Sequence, residues 1–153
     1  MAKIYRAEVN VWHKKAGGLG HASMDIIDDE RNVVYVSLWP INQASAKKKK
    51  RIWGSFNSYM PESYGEDCEM IEREADTVIA IHNLPHPTNS PLSFFRTHWK
   101  TQKWALQRMN CCTAVGISLA IMAGVKYSAQ TWHGCPDPTD IIRFSRSLKQ
   151  KYG

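Results

Sequence analysis

The chain has 153 residues, is 43% hydrophobic and 22% charged, and carries a net charge of +6. That composition belongs to a folded domain with a real core and excludes a disordered or low-complexity chain. No apolar run approaches the ~20 residues of a membrane span.

The N-terminal Met1-Ala2-Lys3-Ile4-Tyr5-Arg6-Ala7-Glu8 becomes charged too early for a signal peptide. A soluble chain made in the cytoplasm is expected, with export open to a route that needs no cleaved signal. Of the four cysteines, Cys68, Cys111, Cys112 and Cys135, two are adjacent. That is a poor disulfide framework, so a reduced state is expected. Lys47-Lys48-Lys49-Lys50-Arg51 supplies much of the positive charge. Such a run suits an anionic surface, but no nucleic-acid motif accompanies it and it reads as a solvated loop.

Ala2 to Trp12 alternates, with Tyr5, Ala7, Val9 and Val11 on one side and Arg6, Glu8 and Asn10 on the other, which predicts a strand. Lys14 to Gly20 is a Gly-rich turn. His21 to Ile27 reads as a second strand, Asp28 to Asn32 as a polar turn, and Val33 to Trp39 as a third strand forming a hairpin with the second and ended by Pro40. Residues 41–75 are polar and charged and read as a long irregular excursion with room for short helices. Asp76 to Leu84 is a fourth strand. After Pro85, Pro87 and Pro91, Ser90 or Ser93 starts a helix through Phe94, Phe95, His98 and Trp99. Trp104 to Met109 is extended or a turn. Thr113 to Met122 is a buried helix ended by Gly124, and Thr139 to Lys151 is an amphipathic helix with Asp137 or Thr139 as its cap. No repeat or linker divides the chain. One α+β domain over residues 1–153 is expected, a small antiparallel sheet with helices packed on it.

The chemistry concentrates in two segments. Gly20-His21-Ala22-Ser23 opens a strand, and Asn110-Cys111-Cys112-Thr113 leads into a helix. A helix N-terminus favours a thiolate through its dipole and free N–H groups, and an imidazole takes the proton. Thr113 leaves Cys112 sterically open, whereas the Asn110-Cys111 pair argues for the other thiol; the expectation is Cys112 as nucleophile, with Cys111 as the alternative. The hairpin brings His21 opposite Ser37 to Trp39, which makes Ser37 the expected orienting group. Asp25, on the same strand face as His21, is the alternative, and a backbone carbonyl or a water is another. An oxyanion would be held by the nucleophile's backbone N–H with help from Asn110. Among the six tryptophans, Trp39 and Trp132 are the candidates to wall a substrate cleft. No metal site is expected: Pro85 and Pro87 forbid the helix that would align His82 with His86, and His133-Gly134-Cys135 is too isolated.

Gly20-His21-Ala22-Ser23-Met24, Tyr35-Val36-Ser37-Leu38-Trp39-Pro40 and Asn110-Cys111-Cys112-Thr113-Ala114-Val115, with Leu119 and Gly124, together resemble a circularly permuted papain-like cysteine hydrolase. The branch is the NlpC-type one, which also holds the lecithin–retinol acyltransferase-like proteins. The histidine precedes the cysteine, the reverse of the order in papain. The resemblance implies a histidine on an early strand, a cysteine at the start of a packed helix, and cleavage or transfer at an amide, thioester or ester carbonyl. It also points to a bacterial subgroup, some of whose members look like toxins or secreted effectors.

The expected function is a cofactor-free cysteine peptidase or amidase acting on a peptide, amide or acyl substrate. Its rivals are an acyltransferase or lipid-directed thioesterase, with the basic run at anionic head groups, and a non-enzymatic binding module.

Overall fold

Alternating burial along the first two segments drives them into strands. β1 (Tyr5–Trp12) and β2 (His21–Ile27) pair antiparallel from Arg6 opposite Ile27 to Trp12 opposite His21. The computed structural model describes residues 3–15, 20–40, 55–105, 110–127 and 137–153. Gly20, at the mouth of this hairpin, has φ +78, and a Cβ there would lie 2.6 Å from the carbonyl oxygen of Trp12. The backbone approach thus admits only glycine.

The polar turn after β2 is built by Asp28. Its carboxylate accepts from the backbone N–H of Glu30 at 3.0 Å and of Asn32 at 2.8 Å, while Arg31 takes a left-handed φ of 64. β3 (Val33–Val36) then returns along β2, with Met24 opposite Val36 and Asp25 opposite Tyr35. This strand is shorter than the predicted Val33 to Trp39. Ser37 and Leu38 leave the ladder, and Trp39–Pro40 forms a separate strand, β4, because Trp39 turns its indole back over His21 and onto a carboxylate.

In the excursion, β5 (Ser55–Phe56), β6 (Ser58–Tyr59) and helix α1 (Tyr64–Ile71) are described. β6 pairs with β4. Ser63 caps α1 by accepting from the backbone N–H of Glu66. β7 (Thr77–Leu84) runs antiparallel to β1 and completes a four-stranded sheet of order β3-β2-β1-β7. α2 (Ser93–Lys100) follows; of the two expected starts, Ser93 is its first residue, and Leu92 stands at the N-cap with no side-chain cap. β8 (Trp104–Ala105) pairs with β5.

α3 (Cys111–Ala123) starts two residues before the predicted Thr113. The reason is a capping box: Asn110 Oδ1 accepts from the N–H of Thr113 at 2.9 Å, and Thr113 Oγ1 accepts from that of Asn110 at 3.3 Å. Gly124, with φ 70, ends the helix as expected. α4 (Pro138–Tyr152) begins with a second capping box, between Asp137 and Asp140, and has proline at its first position.

These elements form an α+β domain with a small antiparallel sheet and four helices among the described residues. One sheet face is apolar. Ala7, Val9, Val11, Ala22, Met24, Ile26, Val34 and Val36 pack with Phe95 and Trp99 of α2, Val115, Leu119 and Met122 of α3, and Ile141 and Leu148 of α4. α3 is apolar nearly all round, as a central helix must be. α4 also closes the β7 edge, because Gly153 O accepts from the His82 N–H at 2.6 Å and Lys149 Nζ donates to Ala80 O at 2.8 Å. The other sheet face carries Asn10, Ser23 and Tyr35, and α1 brings Asp67 onto it.

Candidate active site

Cys111 is the first residue of α3 and is half-buried, whereas Cys112 is 1% exposed and belongs to the apolar core. The ring of Tyr127 lies against Gly116, one helical turn after Cys112, and helps to seal that side. The two sulfurs are 3.9 Å apart. Their environments drive them in opposite directions. A hydrogen bond from the Cys112 thiol lowers the Cys111 pKa; burial opposes this, but the His21 charge and a bond to its ring add to it, and the net position is well below that of an ordinary thiol. Burial and the neighbouring sulfur push Cys112 well above it. Cys111, not the expected Cys112, is the thiol beside the imidazole. The steric openness that Thr113 suggests for Cys112 is not found, because that side chain packs into the core.

His21 opens β2 and is 1% exposed. Its ring stacks on Trp39 with centroids 4.0 Å apart and planes 16° from parallel, and Trp12 lies 5.4 Å away on a tilted plane. Trp12 is itself fixed, since Nε1 donates to Arg73 O at 3.0 Å. His21 Nε2 is 2.9 Å from Ser37 Oγ, the neighbour that the hairpin register predicts. The ring's other nitrogen, Nδ1, is buried without a hydrogen-bond partner, and the Cys111 side chain lies close enough to the ring to raise the His21 pKa.

Ser37 does not stand alone. Its hydroxyl donates to Asp67 Oδ2 at 2.7 Å, and the same carboxylate oxygen is 3.4 Å from His21 Nε2. Asp67 lies in the first turns of α1 and is fully buried. It also accepts from the Tyr35 hydroxyl and, through Oδ1, from Trp39 Nε1 at 2.6 Å. Tyr35 is tied in turn to Ser23 Oγ at 2.6 Å. Burial alone would raise the Asp67 pKa, but the His21 charge and the bonds from His21, Ser37 and Tyr35 hold it below the ordinary carboxylate value. At His21 burial disfavours the cation, yet Cys111 and Asp67 outweigh it and lift the pKa to about 9. All three shifts favour the charged form of the group, with His21 between Cys111 and Asp67.

Asp67 is the functional side chain that sequence reasoning missed. Its signals were Ser63-x-x-Glu66, a helix-start pattern, and the helical spacing of Tyr64, Asp67, Cys68 and Ile71, which sets the aspartate on the inward stripe. Asp25, the alternative orienter, faces Glu8 across β1 and β2, and burial and that carboxylate raise its pKa to about 6. Asn110, an expected oxyanion donor, spends its carbonyl end on capping α3. The N–H groups of the first turn, those of Cys111 and Cys112, have no acceptor within the helix and point outward from its N-terminus. Trp132 and the run Lys47 to Arg51 lie outside the described residues. Among the described residues no cluster of three or more His, Cys, Asp or Glu side chains could hold a metal ion. No helix among them is long and apolar enough to cross a membrane.

Comparison with the models of known protein families, with curated proteins and with solved structures gives no match.

Proposed function

We propose that the chain is a cysteine-dependent hydrolase of the circularly permuted papain-like type, a peptidase or amidase that cleaves an acyl bond through a thioester. The observation that carries this reading is the half-buried thiol of Cys111 at a helix N-terminus, set against an imidazole whose far nitrogen is backed by Ser37 and a buried aspartate.

The Cys111 thiolate attacks the acyl carbonyl carbon, and the oxygen takes the electron pair. Backbone N–H groups of the first turn of α3 stabilise that oxyanion, aided by the helix dipole. His21 Nδ1 then delivers its proton to the leaving amine or alkoxide as the tetrahedral intermediate collapses to a thioester. The neutral imidazole next takes a proton from water. The resulting attack releases the acid and restores the thiolate–imidazolium pair. Asp67, acting directly and through Ser37, fixes the ring so that Nδ1 faces sulfur, and stabilises the cation. Trp39 stacks on the ring and donates to the same aspartate, which locks both. Nothing in this sequence of steps calls for a metal or an organic cofactor.

An activated acyl ester such as p-nitrophenyl acetate provides the test. The expected result is a burst of nitrophenol matched by one acetyl group, mapped by mass spectrometry to Cys111 and absent from Cys111→Ala. Turnover that survives Cys111→Ala, or an acetyl group on another side chain, would overturn the proposal.

A further inference from the structure

We infer that Arg96 is the positioning residue that holds Asp67 at its distance from His21, acting through α1 and β3 without touching the reacting groups. This rests on the proposed Cys111–His21–Asp67 site. Arg96 lies on α2, and its side chain is 15% exposed. One guanidinium nitrogen, Nη1, donates to Tyr35 O at 3.1 Å and to Pro61 O at 2.8 Å; the other, Nη2, donates to Met60 O at 3.2 Å and to Glu62 Oε1 at 3.0 Å. Residues 60–62 have no helix or strand of their own and lead directly into Ser63, the cap of α1. Arg96 therefore riveted to Tyr35 O joins the entrance of α1 to the outer edge of β3.

The same two elements meet again inside the site. Tyr35, whose carbonyl Arg96 holds, donates its hydroxyl to Asp67. The far end of α1 is tied down separately, by Trp12 Nε1 on Arg73 O, and the Tyr64 hydroxyl, at the start of the helix, accepts from the Ala75 N–H at 3.1 Å. Between the β6–β4 pairing, which ends at Tyr59, and the start of α1, residues 60–62 are held by Arg96, and Asp67 stands one turn inside the helix. The three carbonyl acceptors matter most. Glu62 is 76% exposed, and an ion pair there is worth little. A planar fork with five N–H donors can serve several acceptors spread along one edge, whereas a lysine ammonium cannot span them.

The test is the titration of the His21 ring protons by NMR in the unsubstituted protein, Arg96→Lys, Arg96→Ala and Asp67→Asn. Loss of a nearby cation would by charge alone raise the His21 pKa. Loss of positioning lowers it, because the carboxylate drifts away. The expected result is a His21 pKa lower by about one unit in Arg96→Ala, in the direction that Asp67→Asn moves it, and lower also in Arg96→Lys although the charge is kept. A folded Arg96 variant, lysine or alanine, whose His21 titrates as in the unsubstituted protein overturns the assignment; if the alanine variant does not fold, the lysine variant decides. An ordinary His21 pKa in the unsubstituted protein would instead count against the underlying ion pair.

Discussion

His21 Nε2 stands 3.4 Å from Asp67 Oδ2, both side chains are closed to solvent, and Ser37 Oγ touches both. An isolated buried carboxylate would be neutral or ruinously costly. Here four donors converge on it, so its charge is retained and the imidazole next to it is held protonated. Asp67→Asn should lower the His21 pKa from about 9 and reduce kcat/KM by about 10²-fold. A pH–rate profile checks both: the alkaline limb should move to lower pH, whereas a loss of rate with an unmoved limb would deny Asp67 its electrostatic part.

The two thiols should behave as different kinds of residue. Cys111→Ala should abolish acyl transfer and leave the fold intact. Cys112→Ala should keep measurable turnover and destabilise the core by about 1 kcal/mol. Paired thermal melts and turnover assays check this, and the reverse pattern would return the nucleophile to Cys112.

Asp25 offers a test of stability. Burial and Glu8 raise its pKa to about 6 from an ordinary 3.8. Between those values the folded state binds a proton that the unfolded chain has lost, so stability falls as pH rises through the window and then stays lower. Asp25→Asn removes the repelled charge. It should stabilise the fold at pH 7 by about 1 kcal/mol after allowing for solvent screening of a half-buried group, seen as a higher melting temperature, and change little at about pH 4. An equal gain at both pH values would mean that charge is not the cause.

Gly20→Ala places a Cβ 2.6 Å from Trp12 O at a φ of +78. The expected cost is about 1–3 kcal/mol, together with a lower kcat, because the next residue is His21. Urea unfolding and turnover measured on the same preparation check that the two losses occur together.

The hairpin was legible because its information is local. Asp28 to Asn32 supplies the turn, and alternation sets the faces, so Ser37 and Trp39 could be set near His21 before any coordinates. The nucleophile was legible only to within one residue. Helical steps from either thiol reach apolar residues such as Val115, so the pattern does not separate them, and which thiol falls on the core side emerges only when α3 packs. Asp67 was legible at most as an inward position on a short helix. It lies in a charge-rich stretch, and its partners come from β2, β3 and β4, so its place beside His21 is not a local property. The family resemblance supplied the pairing of strand histidine with helix cysteine, but no third carboxylate. That residue emerges only when α1 docks on the polar face of the sheet.

The proposed chemistry requires a Cys111 thiolate that exists well below the pH at which ordinary thiols ionise. The most direct measurement is the rate of iodoacetamide alkylation at each cysteine from about pH 4 to about pH 10, read by peptide mapping. The predicted result is fast labelling of Cys111 already near pH 6, with Cys112 protected until the protein unfolds. Labelling of Cys111 that rises only near the ~8.5 of a free thiol, at a rate no greater than Cys68, would contradict it.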